Sequence, residues 1–339
     1  MISTIKKIVA CVVFCALTLA LIAWVNDIVV SKTYNRYYIM DRAIEELDED
    51  IDVQVFGACH GYTSFHAPYF EESYDISAYD MGNPGELIPT TYLRMMERFK
   101  EDTPEVALVE IWGINAYETY SAVERVFEYY MPVNVERLPL SLDKFEVIQD
   151  FYSLDMLLEN FAIAKYKDRI MNMELTDADF AYSFEAISPD TSNYTREEMT
   201  MRMENNGFCI MPMWHDDSSY DPYLDVTDFY ERQPVVGDEE KLALEADMLK
   251  YVDKIIDLCK EYNVELIFYR APYLSRANEL RKANWFADYC QSKDILFLDL
   301  EEELKFDLAT DFLDYHHLND VGAKKATDYL APYIMEAME

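Results

Sequence analysis

Beyond the N-terminal segment, short apolar runs alternate with longer amphipathic segments along much of the chain. In the longer segments, apolar residues recur every three or four positions, which is the spacing of one helix face. This alternation predicts βαβ units and an α/β fold with a mostly parallel sheet and helices on both faces. Strands are predicted at 52–56, 74–79, 106–112, 264–269 and 295–300, and helices at 33–50, 86–100, 240–262, 276–290 and 322–338.

Residues 116–237 interrupt this alternation. The stretch is rich in Tyr, Met, Asp and Glu and shows no clear succession of strands and helices. We predict a helical insertion there, acting as a lid or as a surface that faces a partner. Its acidic segment 216–228 lacks the glycine and the ligand spacing of a calcium loop, which favours a solvated loop.

The N-terminal segment has a different pattern, with two lysines before a continuous apolar run. The run extends from Ile8 to about Trp24, which is long enough, or nearly so, to span a bilayer. No small-residue cleavage site follows it. We therefore expect residues 1–32 to be an uncleaved signal anchor, with a single pass through the cell membrane and the body (33–339) on the extracytoplasmic side. A cleaved signal peptide is the alternative.

Composition narrows the function classes. The formal net charge of −36 argues against a nucleic-acid partner, which requires a basic face, and disfavours docking of the body on anionic lipid. The six cysteines are scattered and include no Cys-x-x-Cys pair, which disfavours a disulfide framework or a structural zinc site. Cys259 and Cys290 lie in apolar, helical surroundings and are predicted to be packing residues.

Two segments far apart in the sequence carry groups suited to acyl transfer. Asp314 stands three residues before His317, a spacing at which a carboxylate orients and stabilises an imidazole that acts as a general base. Cys59 follows the first predicted strand, in the turn Gly57-Ala58-Cys59-His60, where the N-terminus of the next helix favours a thiolate. A small buried cysteine at a tight turn is the alternative interpretation of Cys59.

Two further turns at predicted strand ends offer hydrogen-bond donors. The loop Asp80-Met81-Gly82-Asn83-Pro84-Gly85 presents a backbone N–H, and Gly113-Ile114-Asn115 places an amide side chain after the third strand. Because ligands of parallel sheets bind at the carboxyl ends of the strands, these groups are expected to meet Cys59 and His317. Each is a plain turn when taken alone, but together they supply a nucleophile, a base and oxyanion donors.

These four segments resemble the four sequence blocks of the SGNH/GDSL hydrolase superfamily. The nucleophile block reads Gly57-Ala58-Cys59-His60 where relatives have Gly-Asp-Ser or Gly-Ser-Ser-His. Gly85 is the favoured oxyanion glycine of the second block, ahead of Gly82. Gly113-Ile114-Asn115 matches Gly-x-Asn, and Asp314-Tyr315-His316-His317 matches Asp-x-x-His. The Leu-Asn-x-x-Gly-Ala-Lys-Lys run that follows is similar to the membrane-anchored DltD- and AlgX-like branch. The resemblance covers 51–115 and 240–339 and hardly touches the middle.

The resemblance implies a flavodoxin-like three-layer sandwich. It also implies an acyl esterase or O-acyltransferase that acts on cell-envelope polysaccharide or teichoic acid, with a membrane-bound O-acyltransferase as partner. No cofactor and no metal are expected. Since a cysteine replaces the usual serine, the alternative is a catalytically inactive scaffold that binds glycan or the acyltransferase.

The resemblance also assigns roles to single residues. Cys59 is the expected nucleophile and His317 the base, with His316 as the alternative base. Asp314 is expected to hold His317. The backbone N–H groups of Cys59 and Gly85 and the side-chain amide of Asn115 are expected to bind the oxyanion.

Two other histidines lie near Cys59 in the sequence. His60 is expected to line the pocket or to cap the helix, and His66 to lie at the surface. No second cysteine stands near Cys59 to resolve a disulfide, which disfavours a thiol redox protein.

Overall fold

The computed structural model of the chain confirms the α/β class. Its strands are β1 (Val53–Phe56), β2 (Ala78–Asp80), β3 (Val106–Glu110), β4 (Glu265–Arg270) and β5 (Leu296–Asp299). They form one sheet in the order β2-β1-β3-β4-β5, and every neighbouring pair is parallel. The structure describes residues 2–31, 44, 50–112, 131–136, 138–159, 165, 167, 171, 206–208, 246–273, 277–313 and 316–339.

Helices connect the strands and flank the sheet. The described helices of four or more residues are α1 (Ile2–Ser31), α2 (Cys59–Ser64), α3 (Ala67–Tyr74), α4 (Ile88–Glu101), α5 (Met131–Glu136), α6 (Leu142–Phe151), α7 (Leu154–Glu159), α8 (Ala246–Tyr262), α9 (Ala277–Ser292), α10 (Leu300–Glu303) and α11 (Asp320–Ala337).

The second strand differs from its prediction. β2 begins at Ala78, whereas most of the segment before it belongs to α3 and the turn that ends this helix. Pro68 stands in the first turn of α3, where a missing N–H costs nothing, and Asp75 ends the helix with a left-handed φ of 58°. The alternation of apolar residues across 74–79 therefore spans a helix end and a turn before the strand.

Helix α1 is the predicted apolar segment. Within it, Thr4–Ile22 has a mean hydropathy of 2.3 and no part of it is buried. A helix rises about 1.5 Å per residue, so a segment of this length is sufficient to cross the hydrocarbon core of a bilayer. One such helix near the N-terminus is typical of either a membrane anchor or a signal sequence. The helix predicted at 33–50 lies almost wholly outside the described residues.

Alternate side chains of the strands enter two apolar clusters. In β3, Val106 and Leu108 pack with α11, whereas Ala107 and Val109 pack with residues of α4 and α8. Successive side chains of a strand point to opposite faces, so each cluster lies on one face of the sheet. Cys259 and Cys290 are buried in the second cluster, as predicted.

Two helices from the middle of the chain also pack on this core. Met131 of α5 and Val147 of α6 are buried in the cluster that contains α4 and α8. At its edge, Lys254 of α8 lies 3.0 Å from Asp143 and 2.7 Å from Glu146 of α6. Helices α5 and α6 are therefore attached to the body through apolar contacts, and α6 also through ion pairs.

Candidate active site at the carboxyl edge of the sheet

Cys59 begins α2, and two residues, Gly57 and Ala58, separate it from the end of β1. The turn requires glycine, because Gly57 has a φ of 128° and a Cβ there would lie 2.9 Å from both Cβ and the carbonyl oxygen of Glu110. Ala58 is the extended N-cap residue of α2. The close approach of β1 to the end of β3 thus places a half-buried Cys59 at the carboxyl edge of the sheet.

The loop after β2 packs against this turn. Asn83 donates its backbone N–H to the carbonyl of Gly57 at 3.0 Å. A Cβ on Gly82 would lie 3.0 Å from the carbonyl oxygens of Gly57 and Ala58. The contacts to the Cys59 turn therefore come from Gly82 and Asn83, whereas Gly85 lies farther along the loop with a left-handed φ of 62°.

His317 reaches Cys59 from the other end of the chain. The Cys59 sulfur and one ring nitrogen from each of His60 and His317 all lie within 4.8 Å of one another. His60 Nδ1 is 3.8 Å from the sulfur. The structure thus brings the predicted nucleophile and the predicted base together. Among the described residues, His316 does not belong to this group of three donors.

The segment that carries His317 is held by Asn319. The Asn319 side chain caps α11 by accepting the backbone N–H groups of Val321 and Gly322 at 3.0 and 3.1 Å. Its amide nitrogen donates to two carbonyls of the preceding turn at 2.8 and 3.3 Å. A Cβ on Gly322 would lie 2.1 Å from the carbonyl oxygen of Asp311. These contacts explain the Asn-x-x-Gly part of the sequence pattern.

Two predicted site residues, Asp314 and Asn115, lie outside the described residues. Their neighbours do reach the site, because Trp112 follows β3 and the ring of His316 lies 5.7 Å from that of His60. The orienting role of Asp314 and the oxyanion role of Asn115 therefore stay predictions.

His60 lies at the centre of an aromatic cluster. Its ring centroid is 5.1 Å from Trp112, 4.9 Å from Tyr273 and 5.4 Å from His317. Burial, followed by repulsion from His317 and His316, lowers the pKa of His60 well below its usual 6.5. Its buried Nε2 has no hydrogen-bond partner among the described residues. His60 therefore lines the site, one of its two expected roles, as a neutral imidazole.

His66 is buried, so its prediction as a surface residue was wrong. Its Nδ1 accepts the backbone N–H of Tyr69 at 3.1 Å and thereby caps α3. Its Nε2 lies 3.0 Å from an Asp320 carboxylate oxygen at the start of α11, and its ring stacks on Phe208 at 4.0 Å. Residues far away in the sequence cover this side chain, which a local pattern does not reveal.

Glu110 is a site residue that the sequence analysis did not single out. It ends β3 and is fully buried, and the N–H of Trp112 donates to its Oε1 at 2.9 Å. Burial dominates and raises the pKa of Glu110 to about 8, although hydrogen bonding from the backbone N–H groups of Trp112, Ala271 and Ala58 favours its charged form. The available signal was a single carboxylate within the apolar run 106–112.

Arg270 attracts the Glu110 carboxylate but is paired with other carboxylates. Arg270, at the end of β4, forms an ion pair with Asp299 at 2.9 Å and with Glu301 at 2.8 Å. Its attraction is the last of the causes that act on the Glu110 pKa. Glu110 is therefore protonated at neutral pH, beneath the turns that follow β1, β3 and β4.

Comparison with known proteins adds little to this geometry. A family model of unknown function matches residues 236–339, a part of the chain that contains His317 but not Cys59. No curated protein matches the chain. The function must therefore be argued from the site itself.

Proposed function

We propose that the chain is an SGNH-type acyl esterase or O-acyltransferase with Cys59 as its nucleophile. The observation that carries this proposal is the approach of the Cys59 sulfur and a His317 ring nitrogen to within 4.8 Å at the carboxyl edge of a parallel sheet. A thiol paired with an imidazole is a competent nucleophile for acyl groups. Parallel sheets also bind their ligands at this edge.

In the proposed reaction, His317 takes the thiol proton while the Cys59 sulfur attacks the carbonyl carbon of an acyl ester. The alcohol leaves with the proton from His317, and the acyl group stays on Cys59 as a thioester. An acceptor hydroxyl or water then gives its proton to His317 and attacks the thioester. The released sulfur recovers that proton, with Asp314 proposed to orient His317 throughout.

The oxyanion of each tetrahedral intermediate requires hydrogen-bond donors. We assign this role to the N–H of Cys59, the N–H of Gly85 and the amide of Asn115, each worth about 10²–10³ in rate. The contact of Gly82 with the Cys59 turn makes the Gly82 N–H a competing donor. Asn115→Ala tests this role of the amide. A large fall in the acylation rate with little loss of folding indicates a catalytic amide, whereas an unchanged rate indicates a turn residue.

The architecture and location of the chain belong to the same proposal. The strand order β2-β1-β3-β4-β5 is the flavodoxin-like order, and two apolar clusters on opposite sheet faces support a three-layer sandwich. Helix α1 would anchor the body on the extracytoplasmic side. The proposed substrates, cell-envelope polysaccharide or teichoic acid, and the acyltransferase partner rest on the sequence resemblance.

A second candidate is an inactive scaffold that binds glycan or the acyltransferase. The specific observation in its favour is the sulfur at a position where relatives carry a hydroxyl. Sulfur is larger than oxygen, so the attack geometry of a site shaped for serine changes. The scaffold predicts that Cys59→Ala changes nothing in cells, whereas removal of α1 does.

The test uses the full chain in detergent micelles, incubated with an activated acetyl or alanyl ester. Intact mass spectrometry followed by peptide mapping is expected to find one acyl group on Cys59. Cys59→Ala and His317→Ala should lose the adduct, and Cys290→Ser, at a buried cysteine outside the site, should keep it. Labelling that does not depend on His317, or no labelling, would contradict acyl transfer and favour the scaffold.

A further inference from the structure

We propose that Cys59, His60 and His317 form a binding site for a divalent cation of the zinc type, and that this cation competes with acyl transfer for the Cys59 sulfur. Binding requires only the geometry of the three side chains. The competition rests on the function proposed above, because it needs Cys59 to be the nucleophile.

The three donor atoms are close to the spacing of a chelate. Around a tetrahedral zinc ion, with Zn–S of about 2.3 Å and Zn–N of about 2.0–2.1 Å, sulfur and nitrogen lie about 3.5 Å apart. The sulfur and His60 Nδ1 are already 3.8 Å apart, and all three donors lie within 4.8 Å of one another. A metal at this site therefore requires the three donor atoms to approach one another by about 1 Å or less from the limit of 4.8 Å.

The donor types select the cation. A thiolate and two imidazoles suit zinc and similar transition metals, whereas calcium and magnesium prefer oxygen ligands. Metal binding requires an imidazole nitrogen that faces the ion, and His60 Nδ1 already faces the Cys59 sulfur at 3.8 Å. The buried Nε2 of His60 also has no hydrogen bond among the described residues, so neither ring nitrogen is bound to a strong competing partner.

The surroundings favour entry of a cation. Cys59 and His317 are each partly exposed, which leaves one side of the cluster open to solvent. A net charge of −36 raises the concentration of cations near the surface. Three protein ligands leave a fourth position for water, as in open zinc sites.

Metal binding and acyl transfer exclude each other at the sulfur. When the metal binds, the Cys59 thiol gives its proton to solvent and the sulfur lone pair forms the bond to the metal. No atom changes its oxidation state in this step. The same lone pair is then not available to attack a carbonyl, and His317 is not available as a base.

Cobalt(II) provides a direct readout of this site. The full chain in detergent, with Cys11, Cys15 and Cys209 replaced by serine and a phosphine reductant present, is titrated with Co²⁺. We expect one equivalent to produce the thiolate-to-cobalt charge-transfer absorption and the strong visible bands of a tetrahedral complex, both removed by added Zn²⁺. Cys59→Ser should lose the charge-transfer band. His60→Phe and His317→Ala should weaken binding by more than about tenfold, the loss typical of even outer-shell changes.

His66→Asn is the matched control, because it changes a buried histidine outside the cluster and keeps a side chain able to cap α3. It should leave the cobalt spectrum unchanged. Absence of the charge-transfer band, or its persistence in Cys59→Ser, overturns the site. If Cys59→Ser does not fold, as judged by circular dichroism, alkylation of Cys59 in the folded protein takes its place.

A parallel acylation assay separates the two proposals. Saturating Zn²⁺ should slow acylation of Cys59 at least tenfold, and a chelator should restore the rate. Cobalt binding without acylation of the metal-free protein keeps the metal site and refutes the proposed function. Acylation without cobalt binding keeps the function and refutes the site, and zinc that accelerates acylation refutes the competition.

Discussion

Two buried histidines near Cys59 have opposite environments. His66 has hydrogen-bond partners on both ring nitrogens, the backbone of Tyr69 and the carboxylate of Asp320. His60 is more deeply buried, yet its Nε2 has no partner among the described residues and its Nδ1 faces the Cys59 sulfur at 3.8 Å. The main contrast between the two side chains is therefore in their hydrogen bonding.

This difference is the one expected between a structural histidine and a histidine of the proposed site. Buried polar groups are normally hydrogen-bonded, because an unsatisfied group costs about 1–3 kcal/mol. His66 satisfies this rule and joins the starts of α3 and α11. Among the described residues His60 Nε2 does not satisfy it, and an unsatisfied buried group of this kind lowers the stability of the region around it.

The largest effect is expected at the Cys59–His317 pair. His317→Ala should slow acylation of Cys59 by about 10²–10⁴-fold, the usual contribution of a general base, and Cys59→Ala should abolish it. His66→Asn should leave the rate unchanged. The rate is followed by intact mass over time in the full chain. An equal loss of acylation rate in His66→Asn and His317→Ala would show that the site histidine and the structural histidine do not differ in their effect on catalysis.

Much of the fold and the central pair of the site could be predicted from the sequence. The strands at 106–110 and 265–270 are short apolar runs with β-branched residues. A local pattern of this kind is sufficient to predict a strand. Cys59 and His317 could be placed together because turns at the carboxyl ends of parallel strands converge.

Other features depend on contacts that no local pattern contains. His66 is covered by Phe208 and Asp320, which lie far from it in the sequence. The raised pKa of Glu110 arises from its burial under the turns that follow β1, β3 and β4. The approach of Gly82 to the Cys59 turn depends on how two loops pack. Burial and loop packing are tertiary properties, so the spacing of residues alone does not determine them.

The next effect is on stability, at the structural histidine. His66→Phe keeps a ring against Phe208 but removes the cap of α3 and the hydrogen bond to Asp320. We expect the free energy of unfolding to fall by about 1–2 kcal/mol, as for the loss of a helix cap. Denaturant unfolding of the full chain in detergent measures this change. His66→Asn should lose less of this free energy than His66→Phe, because it keeps a helix-capping side chain. A His66→Phe variant as stable as the wild type would show that the two hydrogen bonds contribute little.

Glu110, under the turn that carries Cys59, is expected to determine the pH dependence of stability above about pH 6.5. The folded-state pKa of Glu110, about 8, exceeds the usual value of 4.5, so between these values the folded state holds a proton that the unfolded state has released. Stability therefore falls as pH rises through this window, by about 1.4 kcal/mol per pH unit. Glu110→Gln should remove this dependence of the unfolding free energy on pH between pH 6.5 and 8. If the dependence were unchanged in the variant, another titratable group would cause it.

The smallest change at neutral pH is expected at His60. His60→Phe keeps an aromatic ring against Trp112 and removes a buried nitrogen that lacks a partner, so unfolding free energy at pH 7.5 should stay the same or rise slightly. Below pH 6.5 the two histidines lower the stability of the wild type, because both have lowered pKa values and the unfolded chain takes up protons that the fold excludes. Glu110 acts in the opposite direction down to about pH 4.5, so the comparison is made between each His→Phe variant and the wild type at the same pH. His60→Phe should remove more of this acid-side loss than His66→Phe, because the pKa of His60 is lowered further. If His60→Phe were instead the less stable variant at pH 7.5, His60 would be a structural residue like His66.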